Sequence, residues 1–258
     1  MSTPYTVRAF ESWVVRTRKG LRGALLFSVA GPLIYLGAMG SGLGSLVTAE
    51  NPSVLDGVRY ADFIAPGMLA AAAMQTAVGE ATWPVLGALK WDKSYHAMLA
   101  TPLRVVDVFY GHLMLIATRL VLSCVTFALA AVLLGFRSGP LGLLVVPAAA
   151  FTGIACAAPI AAWSIGRQND NSFSILFRVI AIPLFMFSGT FFPIETLPRA
   201  LEVAVQLTPL WHGVELCRGL FLGTLDAGWA VVHVTYLSVL LVTGLVLGQR
   251  EYAKALST

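Results

Sequence analysis

The chain has 258 residues, of which 57% are hydrophobic and 12% charged, and it carries a net charge of +4. A soluble domain averages about 25% charged residues. Half that density cannot furnish a water-facing surface, so a soluble enzyme or a nucleic-acid binder is excluded and the composition is that of a polytopic membrane protein. The three cysteines, Cys124, Cys156 and Cys217, are scattered through apolar runs with neither disulfide nor metal-ligand spacing.

Val7, Phe10, Val14 and Leu21 recur at helical spacing, with Arg8, Ser12, Arg16 and Lys19 mostly opposite. This predicts a basic amphipathic helix over 5–21, lying in the headgroup plane with Trp13 at the interface. Intervals free of charge, or holding a single arginine (Arg119 in the third, Arg178 in the fifth), then mark the bilayer-crossing helices, each needing about 20 mainly apolar residues. They predict six spans, near 23–47, 62–84, 110–134, 141–165, 172–191 and 228–248. The first is too long for the h-region of a cleaved signal peptide and is expected to be a retained span. Its Gly37-Ala-Met-Gly-Ser-Gly-Leu-Gly44 run offers small residues for close helix packing.

An even number of spans puts both termini on one side. Eleven Lys and Arg fall on that side, in the N-terminal tail, the 84–109 loop, the 165–171 loop and the C-terminus. Four fall opposite (Arg59, Arg137, Arg199 and Arg218), so the positive-inside rule places both termini in the cytoplasm.

Between spans two and three, Leu89 to Ala100 lacks Gly and Pro and mixes Trp91, Tyr95 and Met98 with Lys90, Asp92, Lys93 and His96. That predicts a short cytoplasmic helix, within 88–101, ended by Thr101-Pro102. Two readings stay open on these residues: a helix resting on the bilayer, or a docking helix for a cytoplasmic partner. Between spans five and six, residues 191–226 are too apolar for a solvated loop. Pro193, Pro198 and Pro209 break them into short helices, expected to dip in from the outer face and cap an internal cavity.

Two charges fall at bilayer depth, Glu80 on the second helix and Arg119 on the third. They are expected to pair, because an unpaired intramembrane charge costs several kcal/mol, and to act as a clamp between helices. His96, His112, His212 and His233 are dispersed, no phosphate-cradling loop occurs, and no metal site or catalytic constellation stands out. His212 and Glu215 are i, i+3 neighbours, a weak signal alone.

With these landmarks in place the chain resembles the type-2 exporter permeases of the ATP-binding-cassette superfamily, in particular the nodulation-factor exporter permease subgroup. The resemblance is carried by Tyr60-Ala-Asp-Phe-Ile-Ala-Pro-Gly67 with Glu80, by Ala100-Thr-Pro102 with Val106-Asp-Val108, and by Ala117-Thr-Arg119. It continues in Ser188-Gly-Thr-Phe-Phe-Pro193 with Leu197-Pro198, and in Pro209-Leu-Trp-His-Gly-Val-Glu-Leu-Cys-Arg218. Trp211 stands where the family more often has a smaller residue, and Arg178 in the fifth span is unusual.

The resemblance implies an all-α permease forming a single domain over 1–258 in the bacterial inner membrane. It implies a working unit of two permeases, a second copy or a paralogue, with two separate ATPase subunits that bind the ATP and Mg. Lys90, Trp91, Asp92, Lys93, Tyr95 and His96 would then be the coupling helix seated in the ATPase. Phe191, Phe192, Pro193, Pro198, Pro209, His212, Glu215 and Arg218 would form an outer gate. The expected function is ATP-driven export of an amphipathic molecule: a glycolipid, a lipid-linked saccharide or a hydrophobic drug. An ion-coupled transporter or a membrane-embedded transferase would be the alternatives. The first would want a pseudo-symmetric repeat and the second paired carboxylates or a metal, and neither feature is visible.

Overall fold

The computed structural model describes residues 5–17, 58–136 and 139–257 and a few single positions between 23 and 38; among them every regular element is helical. The expected first span, 23–47, lies almost wholly outside the described residues. In chain order the elements begin with α1 (Tyr5–Thr17) and α2 (Tyr60–Glu80). Short α3 (Trp83–Leu86) widens into a π-type turn at Gly87–Trp91 and is followed by α4 (Ser94–Leu99). The long α5 (Val105–Leu133) and α6 (Val145–Ser164) come next. Then α7 (Asn171–Ile175) and α8 (Ile182–Phe187) are joined through a second π-type turn, and α9 (Arg199–Gln206), α10 (Pro209–Leu222) and α11 (Ala227–Leu256) complete the chain.

Among the described residues, four helical stretches are long and apolar enough to cross a bilayer: Tyr60–Trp91, Val105–Leu133, Gly142–Ser164 and Ala227–Leu256. A helix satisfies its backbone polar groups internally, which a span surrounded by lipid requires. The fifth expected span, 172–191, is a shorter apolar stretch, Asn171–Phe187, because Ser188 to Pro193 leave the helix.

α6 sits at the centre, packed against α11, α2, α5 and α10. Small residues let these helices approach closely. A Cβ on Gly244 of α11 would lie 2.4 Å from the backbone nitrogen of Pro159, and one on Gly213 of α10 would lie 2.3 Å from the Thr152 methyl. Because a lipid tail is as apolar as a leucine, such close contact rather than the hydrophobic effect joins helices in a membrane.

Two expectations are corrected. On the N-terminal helix Trp13, expected at the membrane interface, is instead buried together with Ala9, while Val14 is exposed. The reason is Gly111 on α5, where a Cβ would come within 2.7 Å of that of Ala9, so α1 is drawn onto α5 along its smallest residues. The Thr6 hydroxyl donates to Asp107 (2.7 Å), whose other oxygen accepts the Arg104 N–H at the start of α5 (3.1 Å). The expected continuous helix from Leu89 to Ala100 is also interrupted. The widened turn closes with the Asp92 N–H on the Gly87 carbonyl (2.9 Å), Lys93 adopts a left-handed φ of 51°, and the helix restarts at Ser94.

Gly244→Val should therefore force α11 off Pro159 and destabilise the fold by about 2 kcal/mol. Gly79→Ala, with open space where its Cβ would stand, should be neutral or mildly stabilising. Thermal unfolding of the detergent-purified variants distinguishes the two.

Candidate functional site

Three polar groupings stand out against the apolar body. The first surrounds Arg218 on α10, whose side chain is 10% exposed. Thr208 caps this helix, accepting from the Trp211 N–H (3.4 Å), and Pro209 occupies its first turn, where the missing donor is not needed. The Arg218 guanidinium donates to Glu215 Oε1 (2.6 Å), to the Phe63 carbonyl (3.4 Å) and to the Gly189 carbonyl, and it lies 3.9 Å over the Phe63 ring. Gly189 has a φ of +79°, open to glycine without strain, and this turns the chain after α8 so that its carbonyl meets Arg218. Gly67 on α2 leaves room for that loop: a Cβ there would lie 3.1 Å from Thr190 Cα. Three sequence strings far apart, around Pro66-Gly67, Ser188 to Pro193 and His212 to Arg218, thus converge on one cation.

Beside it, His212 Nδ1 lies 2.8 Å from Nδ1 of His233 on α11, and its ring stacks on Tyr236 at 3.9 Å. The Tyr236 hydroxyl donates to the Leu207 carbonyl (2.5 Å). Phe191 meets Phe185 edge-on at 5.1 Å, and Phe192 approaches Phe187 at 6.5 Å. Pro193 leads into a short turn at Ile194–Thr196, and Pro198 precedes α9. Phe63 and Gly189 lie in strings that carry the family resemblance, whereas His233 and Tyr236 escape a sequence reading, since nothing in their spacing links them to residues 212–218.

The second grouping is the ion pair of Arg119 with Glu80, whose side chains are 14% and 16% exposed. Glu80 is the last residue of α2 before the chain breaks at Ala81-Thr82, and Arg119 lies midway along α5. Glu80 Oε2 and Arg119 Nε have no further partner among the described residues.

The third lies at the other end of the bundle, where α1, α4, α5 and the end of α11 meet. Of the residues expected to face a partner, Trp91 (64% exposed), Asp92, Lys93 and His96 are exposed. Asp92 pairs with Arg16 of α1, and Lys90 donates to the Gln168 carbonyl (2.8 Å) and side chain (2.7 Å). Tyr95 departs from expectation: it is fully buried, its hydroxyl 2.6 Å from His112 Nδ1 and 3.2 Å from the Tyr252 hydroxyl. The helix that carries it packs on α5 and turns Ser94, Tyr95 and Met98 inward, Tyr95 with no exposure at all. Burial holds its phenol well above the usual range, so it stays a neutral hydroxyl. His112, Tyr252 and the buried Trp13 had no sequence signal pointing to this cluster.

Among the described residues no group of three or more His, Cys, Asp or Glu could hold a metal ion. Long apolar helices tied at both ends by buried polar contacts define a multi-pass membrane protein. A family model described as ABC-2 type transporter matches residues 13–222, and the chain belongs to that family. It is 31% identical to "Nodulation protein J" of Rhizobium leguminosarum bv. trifolii over 216 residues, 84% of this chain and 79% of the relative. The protein of the same name from R. leguminosarum bv. viciae is 29% identical over 235 residues, 91% and 87% of the two chains. That of Rhizobium meliloti is 29% identical over 228 residues, 88% and 81%. The chain is accordingly the membrane subunit of an ABC transporter, not an enzyme, and its family works with an ATPase partner.

Arg218→Leu strands the Glu215 carboxylate and two carbonyls and should destabilise the fold by about 3 kcal/mol. Arg218→Lys, a point charge without the planar fork, should recover only part of that in thermal unfolding. Glu80→Gln and Arg119→Gln should each lower stability, with the double variant losing clearly less than the sum; additive losses would show that the two charges do not act together.

Proposed function

We propose that this chain is the permease of an ATP-driven exporter that moves an amphipathic molecule, such as a glycolipid, a lipid-linked saccharide or a hydrophobic drug, outward from the cytoplasm or inner leaflet. The observation that carries the reading is the family match across residues 13–222. It sits in the bacterial inner membrane with six spans and both termini cytoplasmic. Asn171–Phe187 with the loop after it supplies the fifth of these spans. Two permeases, identical or paralogous, enclose the path between them, and two ATPase subunits bind the ATP and Mg.

The geometry supports an assignment of roles. Trp91, Lys93 and His96 stand free at the α1/α4 end, the form of surface an ATPase cleft would grip. A large aromatic ring at the centre of such a contact supplies most of its energy. At the far end, the loop bearing Phe191 and Phe192 is held shut by Arg218 and acts as the outer gate. Along α7 and α8, the exposed side chains of Ile175, Val179, Ile182 and Met186 form an apolar wall for the path, and the exposed Arg178 adds one cationic point.

The test is to purify the chain from its native host in lipid nanodiscs, identify what co-purifies and assay vanadate-sensitive ATP hydrolysis. A stoichiometric P-loop ATPase is expected, and Trp91→Ala should weaken its binding by about 2 kcal/mol, roughly 30-fold. A chain that stays alone and moves substrate under an ion gradient would overturn the reading.

A further inference from the structure

The α4 helix is six residues long and cannot hold its shape unaided. Its approach is tied to the rest of the molecule by Arg16–Asp92 and by Lys90 with Gln168, contacts in or near water that are individually weak. The remaining attachment is inside. Ser94, Tyr95 and Met98 are its buried side chains, and of these Tyr95 is the large one with no exposure at all.

The Tyr95 hydroxyl touches two long helices at once, His112 on α5 and Tyr252 on α11. The Trp13 ring of α1 stacks on His112 at 4.5 Å and meets Tyr95 edge-on at 5.8 Å, closing the cluster from the side. Beyond it, the Tyr252 ring packs on Phe109 of α5 at 4.8 Å, and Phe109 fills the notch of Gly248, where a Cβ would come within 2.2 Å. The contacts run unbroken from α4 into both spans, in an interior dense enough to pass displacement rather than absorb it. The hydroxyl chain adds direction. An aliphatic side chain of the same volume could slide, whereas a buried hydroxyl that leaves its partner loses the hydrogen bond with no water to replace it.

We infer that Tyr95, His112 and Tyr252 form the joint through which movement of the ATPase-docked turn and α4 reaches α5 and α11. They are positioning residues, acting on the path only through the helices that they connect. The inference rests on the proposed docking of the ATPase at Gly87–Trp91 and α4.

The test uses the complex of this chain with its co-purifying ATPase in nanodiscs. The native cysteines are buried, so spin labels introduced by Leu207→Cys and Val132→Cys, both exposed positions, report on the far end. The unmodified complex should show a change in label distance on trapping with ATP and vanadate. Tyr95→Phe and Tyr252→Phe each remove one hydroxyl while keeping the ring. Each should retain the ATPase and its turnover but lose more than half of the trapped change, and the double variant should be no worse than either alone. A merely structural role would lower thermal stability and leave the trapped change intact, and that result would overturn the joint. Loss of the ATPase from Tyr95→Phe and Tyr252→Phe would overturn it also, by making the cluster part of the docking surface. Failure of the unmodified chain to hold any ATPase would instead defeat the docking reading beneath it.

Discussion

A guanidinium held away from water must find acceptors, and much of this molecule is arranged so that Arg218 does. Its partners come from α2, from the loop after α8 and from its own helix, and the loop turns at Gly189 to supply one of them. α2 presents the Phe63 ring and carbonyl, Gly67 yields space, and Gly189 takes a backbone angle that favours glycine. Remove the charge and none of these local choices has a reason. The same logic governs the Glu80–Arg119 pair, where a helix break on α2 falls next to the carboxylate that meets α5.

Between these polar ties the helices are joined by nearness alone. Gly213 against Thr152, Gly244 against Pro159, Gly248 against Phe109 and Ala9 against Gly111 are all places where a larger side chain has no room. This is a division of labour: small residues set how close the helices come, and buried hydrogen bonds set which way they face. The end carrying α1 and α4 combines both, since α1 is drawn in by small residues and then stacks Trp13 over a hydrogen-bonded histidine.

Helices α2, α5, α6 and α11 were legible in the sequence because a long apolar interval with at most one charge inside it has one physical meaning, and Pro193, Pro198 and Pro209 marked the breaks around α9 and α10. The direction in which side chains turn was not legible. Tyr95 sits among Lys90, Asp92, Lys93 and His96, and its neighbours suggested that it too faced a partner. A left-handed Lys93 rotates the helix that follows, and one residue's backbone angle is not encoded in hydrophobic spacing. His112, Tyr252 and His233 were silent for a related reason. A buried polar residue is recognisable by its partner, and these partners are up to 157 residues away along the chain.

The stretch Asn171–Phe187 has 17 residues and at 1.5 Å per residue reaches about 25 Å, short of a hydrocarbon core of about 30 Å. The deficit falls where the chain turns back at Ser188 to Thr190, which are buried behind α2 and α10. As the fifth span of the proposed permease, it would present any lipid that borders it with a shortened apolar surface, toward which a bilayer compresses. In the proposed six-span permease this short segment would make acyl-chain length a variable to which the subunit is sensitive.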